Sequence, residues 1–335
     1  MTPAVTACAV AFVVAGLASA VSLPGWRALC RRWDHVDVPG HRKIHGRPIP
    51  LAGGFAVFSG WILGALLWPF LDTFLRFEGV RSGAFGERID AGVTSAVVGG
   101  GALGMLLLGA WDDRKDLGAG VKFLGQGIIA AAVAAWGVRF PLPEGMAPLG
   151  FGLTVFWILT VTNAFNLSDN MNGLCAGLGL IGAAWISASS LLLHGRSDLA
   201  FAAALVAGGL AGYLPYNYPR ASVFLGDAGS QSVGFILSVL SLQTLTTSPE
   251  ELGRTAAGTG LDPGRWAWLG AFWAVAVPCI DLLFVSVART LQGRPFWVGD
   301  TGHLSHRLAR TRLGKAGAVA LLWALGTLLG SFLCL

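Results

Sequence analysis

Gly109-Ala110-Trp111-Asp112-Asp113-Arg114-Lys115-Asp116-Leu117 is where the chain changes character. An apolar run from Gly92 to Trp111 stops there against two adjacent carboxylates. The run is close to the roughly 20 residues that an α-helix needs to cross a bilayer. Read as a helix, it sets Asp112 and Asp113 at its negative dipole end, where anions are disfavoured. A positive group is therefore expected between them. A divalent cation completed by phosphate oxygens suits such a pair. The plainer reading is a charged boundary loop in which Arg114 and Lys115 neutralise the acids.

Outward from this stretch, the same grammar repeats. The chain has 335 residues, of which 54% are hydrophobic and only 12% charged, against about 25% charged in soluble domains. Apolar runs occupy Val5–Leu23, Leu51–Leu71, Gly92–Trp111, Val121–Val138 and Leu149–Leu167, then Gly173–Leu193, Leu199–Tyr213, Gly229–Leu245, Ala267–Val287 and Ala316–Leu335. The expectation is an all-α, polytopic membrane protein with about ten transmembrane helices and a single domain over residues 1–335. The 48 glycines suit it, since small residues let membrane helices approach, as at Gly99-Gly100-Gly101 and Gly208-Gly209. The five cysteines are scattered without CxxC spacing and read as apolar packing. No Lys/Arg tract interleaved with aromatics argues for nucleic acid. The N-terminus has no basic region ahead of its apolar run, so a retained first span is expected rather than a signal peptide.

Of the 23 Lys and Arg residues, only Arg76, Arg81, Arg88, Arg139, Arg196, Arg254 and Arg265 fall on one side of the expected bilayer. The richer side is cytoplasmic by the positive-inside rule, and an even span count leaves both termini outside. Every polar cluster falls on that cytoplasmic side. They are Asp37 through His41, Arg42, Lys43 and His45; Asp112, Asp113 and Asp116; Asn163 through Asn166, Asp169, Asn170 and Asn172; Asn217 through Asp227 and Ser230; and Asp300, His303, His306 and Arg307. One active site at the cytoplasmic face is expected.

Each cluster has a functional and a plain reading. Asn163, Asn166 and Asn170 suit recognition of a nucleotide or sugar, or else hydrogen bonding between helices. Gly226-Asp227-Ala228-Gly229-Ser230 opens a span. It reads as a helix cap or as a phosphate cradle, with Asp227 sharing a cation with the acidic pair. His303 and His306, three apart, would share a helix face and bind phosphate with Arg307. A basic loop against anionic lipid is the plainer reading there, and no third soft ligand supports zinc. Asp281 lies inside an apolar run after Pro278 and needs a partner, structural or catalytic.

The ordered set of motifs resembles the polyprenyl-phosphate N-acetylhexosamine-1-phosphate transferases over nearly the whole chain. Asp37-x-Pro…Arg42-Lys43-x-His45, Asp112-Asp113-x-x-Asp116, Lys122-x-x-x-Gln126, Asn163-x-x-Asn166-x-x-Asp169, Phe224-Leu-Gly-Asp227-x-Gly-Ser230, Pro278-x-x-Asp281 and Asp300…His303…His306-Arg307 carry it. Two departures stand out: Asn172 replaces a second carboxylate, and there is no run of three histidines. The latter favours a UDP-GlcNAc-type enzyme over the phospho-MurNAc-pentapeptide transferase branch.

The resemblance implies a bacterial inner-membrane enzyme that moves a sugar-1-phosphate from a UDP-sugar to a polyprenyl phosphate such as undecaprenyl phosphate. UMP would leave, and cell-wall or lipopolysaccharide synthesis would begin. It implies Mg²⁺ or Mn²⁺ held by Asp227 and Asp113. Catalytic roles would fall to Asp112, Asp113, Asp169, Lys122, His303 and His306. Substrate would be bound by Asp37, Arg42, Lys43, His45, Asn163, Asn166, Asn172, Asn217 and Arg307. Two anionic reactants make a cation and positive side chains necessary. Direct attack and an aspartyl-phosphate route are both open, as is a homodimer. The rival from another class is a secondary transporter for nucleotide sugars or lipid phosphates, which would place its polar groups near mid-membrane.

Overall fold

The computed structural model describes residues 2–38, 46–75, 89–193, 196–246, 272–295 and 302–334. Among these are eleven α-helices: α1 (Pro3–Arg32), α2 (Gly53–Leu75), α3 (Ile89–Lys115), α4 (Ala119–Ala135), α5 (Ala147–Ser168), α6 (Leu174–Leu192), α7 (Ser197–Tyr213), α8 (Gly226–Gln243), α9 (Ala276–Leu291), the short α10 (Leu304–Ala309) and α11 (Gly314–Ser331). Each expected span holds a long helix. Among the described residues five helices, α1, α5, α6, α7 continued to Tyr216, and α11 continued to Cys334, are long and apolar enough to cross a bilayer. The protein is a polytopic membrane protein.

The helix α1 runs nine residues past the expected end at Leu23. Pro24 lies inside it and removes the N–H that would bond the Ala20 carbonyl. Tyr216 supplies the missing donor, its hydroxyl 3.4 Å from that oxygen. Trp26 then stacks on Phe55 at 5.1 Å between ring centroids and donates its indole N–H to Ser59. Packing therefore carries the helix onward where the Pro-Gly pair alone would stop it. The expected start of the ninth span, 267–271, lies outside the described residues, and α9 opens at Ala276, just before Pro278.

Helix α8 is the axis of the bundle, buried on every side from Ala228 to Leu242 among α2, α3, α5 and α6. Its start is approached very closely. A Cβ at Gly109 on α3 would run into the Asp227 carbonyl, and one at Gly54 on α2 would strike the Gly229 backbone. Glycine is required at both places, because it alone brings three helix backbones to one point. Gly208 likewise meets the backbone of α1 at Phe12, whereas Gly100 faces open space.

The loop after α1 adds a two-residue antiparallel ladder, β1 (Val36–Asp37) with β2 (Ile49–Pro50), in which Val36 faces Pro50 and Asp37 faces Ile49. Phe224 donates its N–H to the Pro50 carbonyl at 3.0 Å, and Gly53 donates to the Phe224 carbonyl at 2.9 Å. The first polar cluster is thus stitched to the fourth.

Helices α1, α3, α5 and α7 end at this face, while α2, α4, α6 and α8 begin there. Helix α11 runs beside α6 in the same direction, with Trp323 against Gly173 and Gly177, and Gly330 against Trp185. The start of α1 and the end of α11 therefore lie on the face opposite the polar clusters.

Candidate active site

The centre is the Lys122 ammonium, in the first turns of α4. It lies 2.7 Å from Asp112 Oδ2, 2.6 Å from Asp227 Oδ2 and 2.8 Å from Asn166 Oδ1. Asn166 in turn donates its Nδ2 to Asp227 Oδ1 and to Ser230 Oγ, both at 2.9 Å. Asp112 is buried, whereas the Asp227 side chain keeps 33% of its surface exposed. Asp227 is therefore the more open of the two carboxylates. Asp112 Oδ1 also accepts the Leu117 N–H at 2.9 Å, which closes the turn beyond α3.

Asp113 does something else. Its Oδ1 accepts the Asp227 N–H at 2.8 Å and its Oδ2 the Ala228 N–H at 3.1 Å. A carboxylate from α3 thus caps the first turn of α8, where the helix dipole favours it. Asp169, just past the end of α5, accepts the Gly226 N–H. Burial first, and then the charges of Asp227 and Asp113, hold the Asp169 carboxyl well above the usual carboxylate range, with the Gly226 bond acting the other way. Gly226 has φ +74°, and a side chain there would press on the Asp113 carboxylate.

These contacts bear on two readings of the sequence. The start of α8 is not an open phosphate cradle, because Asp169 and Asp113 occupy its first three N–H groups. The two acids of the pair face different groups. Asp112 faces Lys122, while both oxygens of Asp113 accept N–H groups at the start of α8. Arg114 does not neutralise the pair through direct contact but reaches the Trp33 carbonyl at 2.7 Å.

Asp281 has its partner. Its Oδ2 lies 2.7 Å from His303 Nδ1, and its Oδ1 accepts the Leu304 N–H at 2.7 Å. His303 is buried and precedes α10 rather than lying on it, so the two histidines do not share a helix face. Their ring centroids are 6.3 Å apart. Burial, followed by His303, Arg310 and Lys315, lowers the His306 pKa. Arg307 is exposed, with its guanidinium carbon 4.7 Å from the Phe284 ring centroid. Ser305 donates to Asn170 Oδ1 at 2.7 Å and ties α10 to the end of α5, beside Asp169.

Other expected residues take structural posts. Asn217 is buried, accepting the Gly173 N–H and donating to the Val223 carbonyl at 2.9 Å. Asn172 donates to the Pro219 carbonyl at 3.1 Å. Asn163 donates to Gln126 Oε1 at 2.7 Å, the helix-to-helix reading of that amide. Asp37 sits in the ladder opposite Ile49. Arg42, Lys43, His45 and Asp300 lie outside the described residues.

The sequence reading missed His35. It is 4% exposed, has its Nε2 3.8 Å from Asp113 Oδ2 and packs edge-on to Phe55. Burial, then Arg114, lowers its pKa. Nothing in the local sequence marks it, because its neighbours come from α2 and α3.

Among the described residues no three His, Cys, Asp or Glu side chains group to hold a metal by themselves. Two carboxylate oxygens, of Asp112 and Asp227, already converge on one cation, the Lys122 ammonium. Mg²⁺ is bound through one or two carboxylates with phosphate and water completing its shell, so this donor set fits it.

A family model described as glycosyl transferase family 4 matches residues 95–245, which contain Asp112, Lys122, Asn166 and Asp227. A probable undecaprenyl-phosphate N-acetylglucosaminyl 1-phosphate transferase of Bacillus subtilis is 30% identical over 325 residues, covering 95% of this chain and 81% of the relative. A decaprenyl-phosphate N-acetylglucosaminephosphotransferase of Mycolicibacterium smegmatis is 33% identical over 322 residues, covering 89% and 75%. The undecaprenyl-phosphate alpha-N-acetylglucosaminyl 1-phosphate transferase of Escherichia coli is 24% identical over 322 residues, covering 91% and 77%. With the carboxylate–lysine centre at one face of a helical membrane bundle, these likenesses show that the chain belongs to glycosyl transferase family 4, as an enzyme of its prenyl-phosphate sugar-1-phosphate transferases.

Proposed function

We propose that the protein transfers GlcNAc-1-phosphate from UDP-GlcNAc to a polyprenyl phosphate of the undecaprenyl type. UMP is released, and a cell-envelope polysaccharide is begun at the cytoplasmic face of a bacterial inner membrane. The observation that carries this reading is the single cation position shared by Asp112, Asp227 and Asn166, with Asp227 open to solvent. The GlcNAc in all three relatives' names supports the choice of sugar. The excess of Lys and Arg on the site side supports a cytoplasmic site with both termini outside.

The lipid phosphate oxygen attacks the β-phosphorus of the UDP-sugar, and the bond to the α-phosphate oxygen breaks. Asp227, with Asp112, would hold Mg²⁺, which would supply positive charge to the diphosphate when bound. Lys122 turns its ammonium from the carboxylates to the phosphate oxygens, where charge accumulates. Asp112 orients the lipid phosphate and accepts its proton. His303 is kept in one tautomer by Asp281 and presents its other nitrogen to the leaving nucleotide, with Arg307 alongside. Asp113 and Asp169 hold the start of α8 and so fix Asp227.

Purified protein incubated with radiolabelled UDP-GlcNAc and undecaprenyl phosphate is expected to yield labelled lipid and UMP, and EDTA is expected to abolish the transfer. Absence of a lipid product with every UDP-acetamido sugar tried would overturn the reading. Full turnover in excess EDTA would remove the metal from it.

A further inference from the structure

Directly beneath the Lys122 centre lies a second polar layer that the chemistry above does not use. Gln126 is four residues beyond Lys122 on α4, and Gln231 is four beyond Asp227 on α8. Asn163 is three before Asn166 on α5. Helices α4 and α8 run away from the site and α5 runs toward it, so all three offsets point inward. At 1.5 Å per residue they place the amides about 4.5–6 Å deeper, at nearly one level. Asn163 Nδ2 donates to Gln126 Oε1 at 2.7 Å, and Gln126 Nε2 donates to Gln231 Oε1 at 3.0 Å. Asn163 Nδ2 also holds the Leu159 carbonyl at 2.8 Å. The chain of amides therefore joins the same three helices that supply Lys122, Asn166 and Asp227.

Gln126 and Gln231 are both fully buried, and among the described residues the Gln231 Nε2 has no hydrogen-bond partner. A buried donor without a partner costs free energy. An apolar side chain of the same shape would avoid that cost. A pair kept only for stability is therefore poorly accounted for, and the layer's geometric effect is the better account.

We propose that Gln126, Gln231 and Asn163 form a positioning layer that sets the register of α4, α5 and α8, so that Lys122 meets Asp112 and Asp227 at once. A slip of one residue along any of these helices moves its side chains by about 1.5 Å. Misplacement of about an ångström is enough to cost on the order of 10² in rate. Apolar contacts between membrane helices have little directionality, whereas amide pairs permit one register. The proposal rests on the transfer reaction given above for its rate measurement, and on backbone exchange for a measurement independent of that reaction.

The test compares Gln231→Met, similar in shape but with neither donor nor acceptor, with Gln231→Glu, which keeps an acceptor for Gln126. For Gln231→Met the expected results are an unfolding temperature within a few degrees of wild type, an unchanged KM for UDP-GlcNAc and a kcat lowered about 10- to 100-fold. Amide hydrogen exchange over residues 119–126 is expected to be at least tenfold faster than in wild type. Gln231→Glu is expected to recover most of the kcat and the slow exchange. Wild-type kcat and exchange in Gln231→Met would overturn the proposal. So would a kcat loss with unchanged exchange, or equal loss in both variants. If Gln231→Met fails to fold, the same comparison on Gln126→Met and Gln126→Glu decides it. In that pair both side chains lose the donor to Gln231 but only Gln126→Glu keeps the acceptor for Asn163. If wild type transfers no sugar phosphate, the functional reading has failed, and the exchange rates still decide the register claim.

Discussion

Lys122→Met leaves two carboxylates facing one another with nothing between them. Asp112 Oδ2 and Asp227 Oδ2 lie 2.7 and 2.6 Å from the same nitrogen, so the two oxygens are at most roughly 5 Å apart. At an effective dielectric constant near 20, two unit charges at that distance repel by about 3 kcal/mol. Solvent at the exposed third of Asp227 screens part of this, leaving about 2–3 kcal/mol. For a chain of 335 residues that corresponds to a fall in unfolding temperature of roughly 3–4 °C. The rate should fall further, by about 10²–10³, because the ammonium also stabilises charge in transfer. The assay is thermal unfolding in detergent beside initial rates of radiolabel transfer. Adding Asp112→Asn to Lys122→Met should restore the unfolding temperature without restoring the rate, since it relieves the repulsion but returns no cation. A Lys122→Met protein with wild-type stability and rate would refute the argument. So would a double variant that melts as low as the single.

Asp281→Asn is expected to lower kcat about 10- to 100-fold with little change in KM, because an amide offers His303 Nδ1 a donor instead of an acceptor. Combining it with His303→Ala should cost little more than His303→Ala alone, and additive losses would sink the pairing. Asn217→Ala is expected to destabilise the fold by about 1–3 kcal/mol and leave the KM of the surviving folded enzyme unchanged, since its amide bonds the Gly173 N–H and the Val223 carbonyl inside the bundle; titration of KM on detergent-purified protein checks this. A cytoplasm-dependent reporter fused after Leu335 is expected to be silent, and a strong signal would reverse the proposed orientation.

The helix positions were legible because hydrocarbon imposes a length and a composition on every span. Where the sequence reading fell short, a distant side chain decided the outcome. Pro24 reads as an end to α1, and only Tyr216, brought over by α7, completes the carbonyl that proline leaves open. The acidic pair was legible as a site. Its division of labour was not, because it depends on the glycine contact that seats α3 against α8. Asn163 and Asn217 show a further boundary. An amide suits nucleotide recognition and helix pairing equally well, and its own neighbours in sequence do not distinguish the two. His35 carries no local signal, since Phe55 and Asp113 meet it only in the folded bundle.

The manner in which α8 is capped bears on how the chain is assembled. The N–H groups of Gly226, Asp227 and Ala228 are satisfied by Asp169 and Asp113, on segments synthesised 57 or more residues earlier. Packed against α3 and α5, those groups depend on these partners for their hydrogen bonds. The first turn of α8 thus becomes stable only as it docks against a half-bundle already in place. A vectorial order of synthesis, from N- to C-terminus, delivers the caps before the helix that needs them. The same chemistry makes circular permutation that begins at α8 a poor choice for this protein, and division between α2 and α3 a far better one.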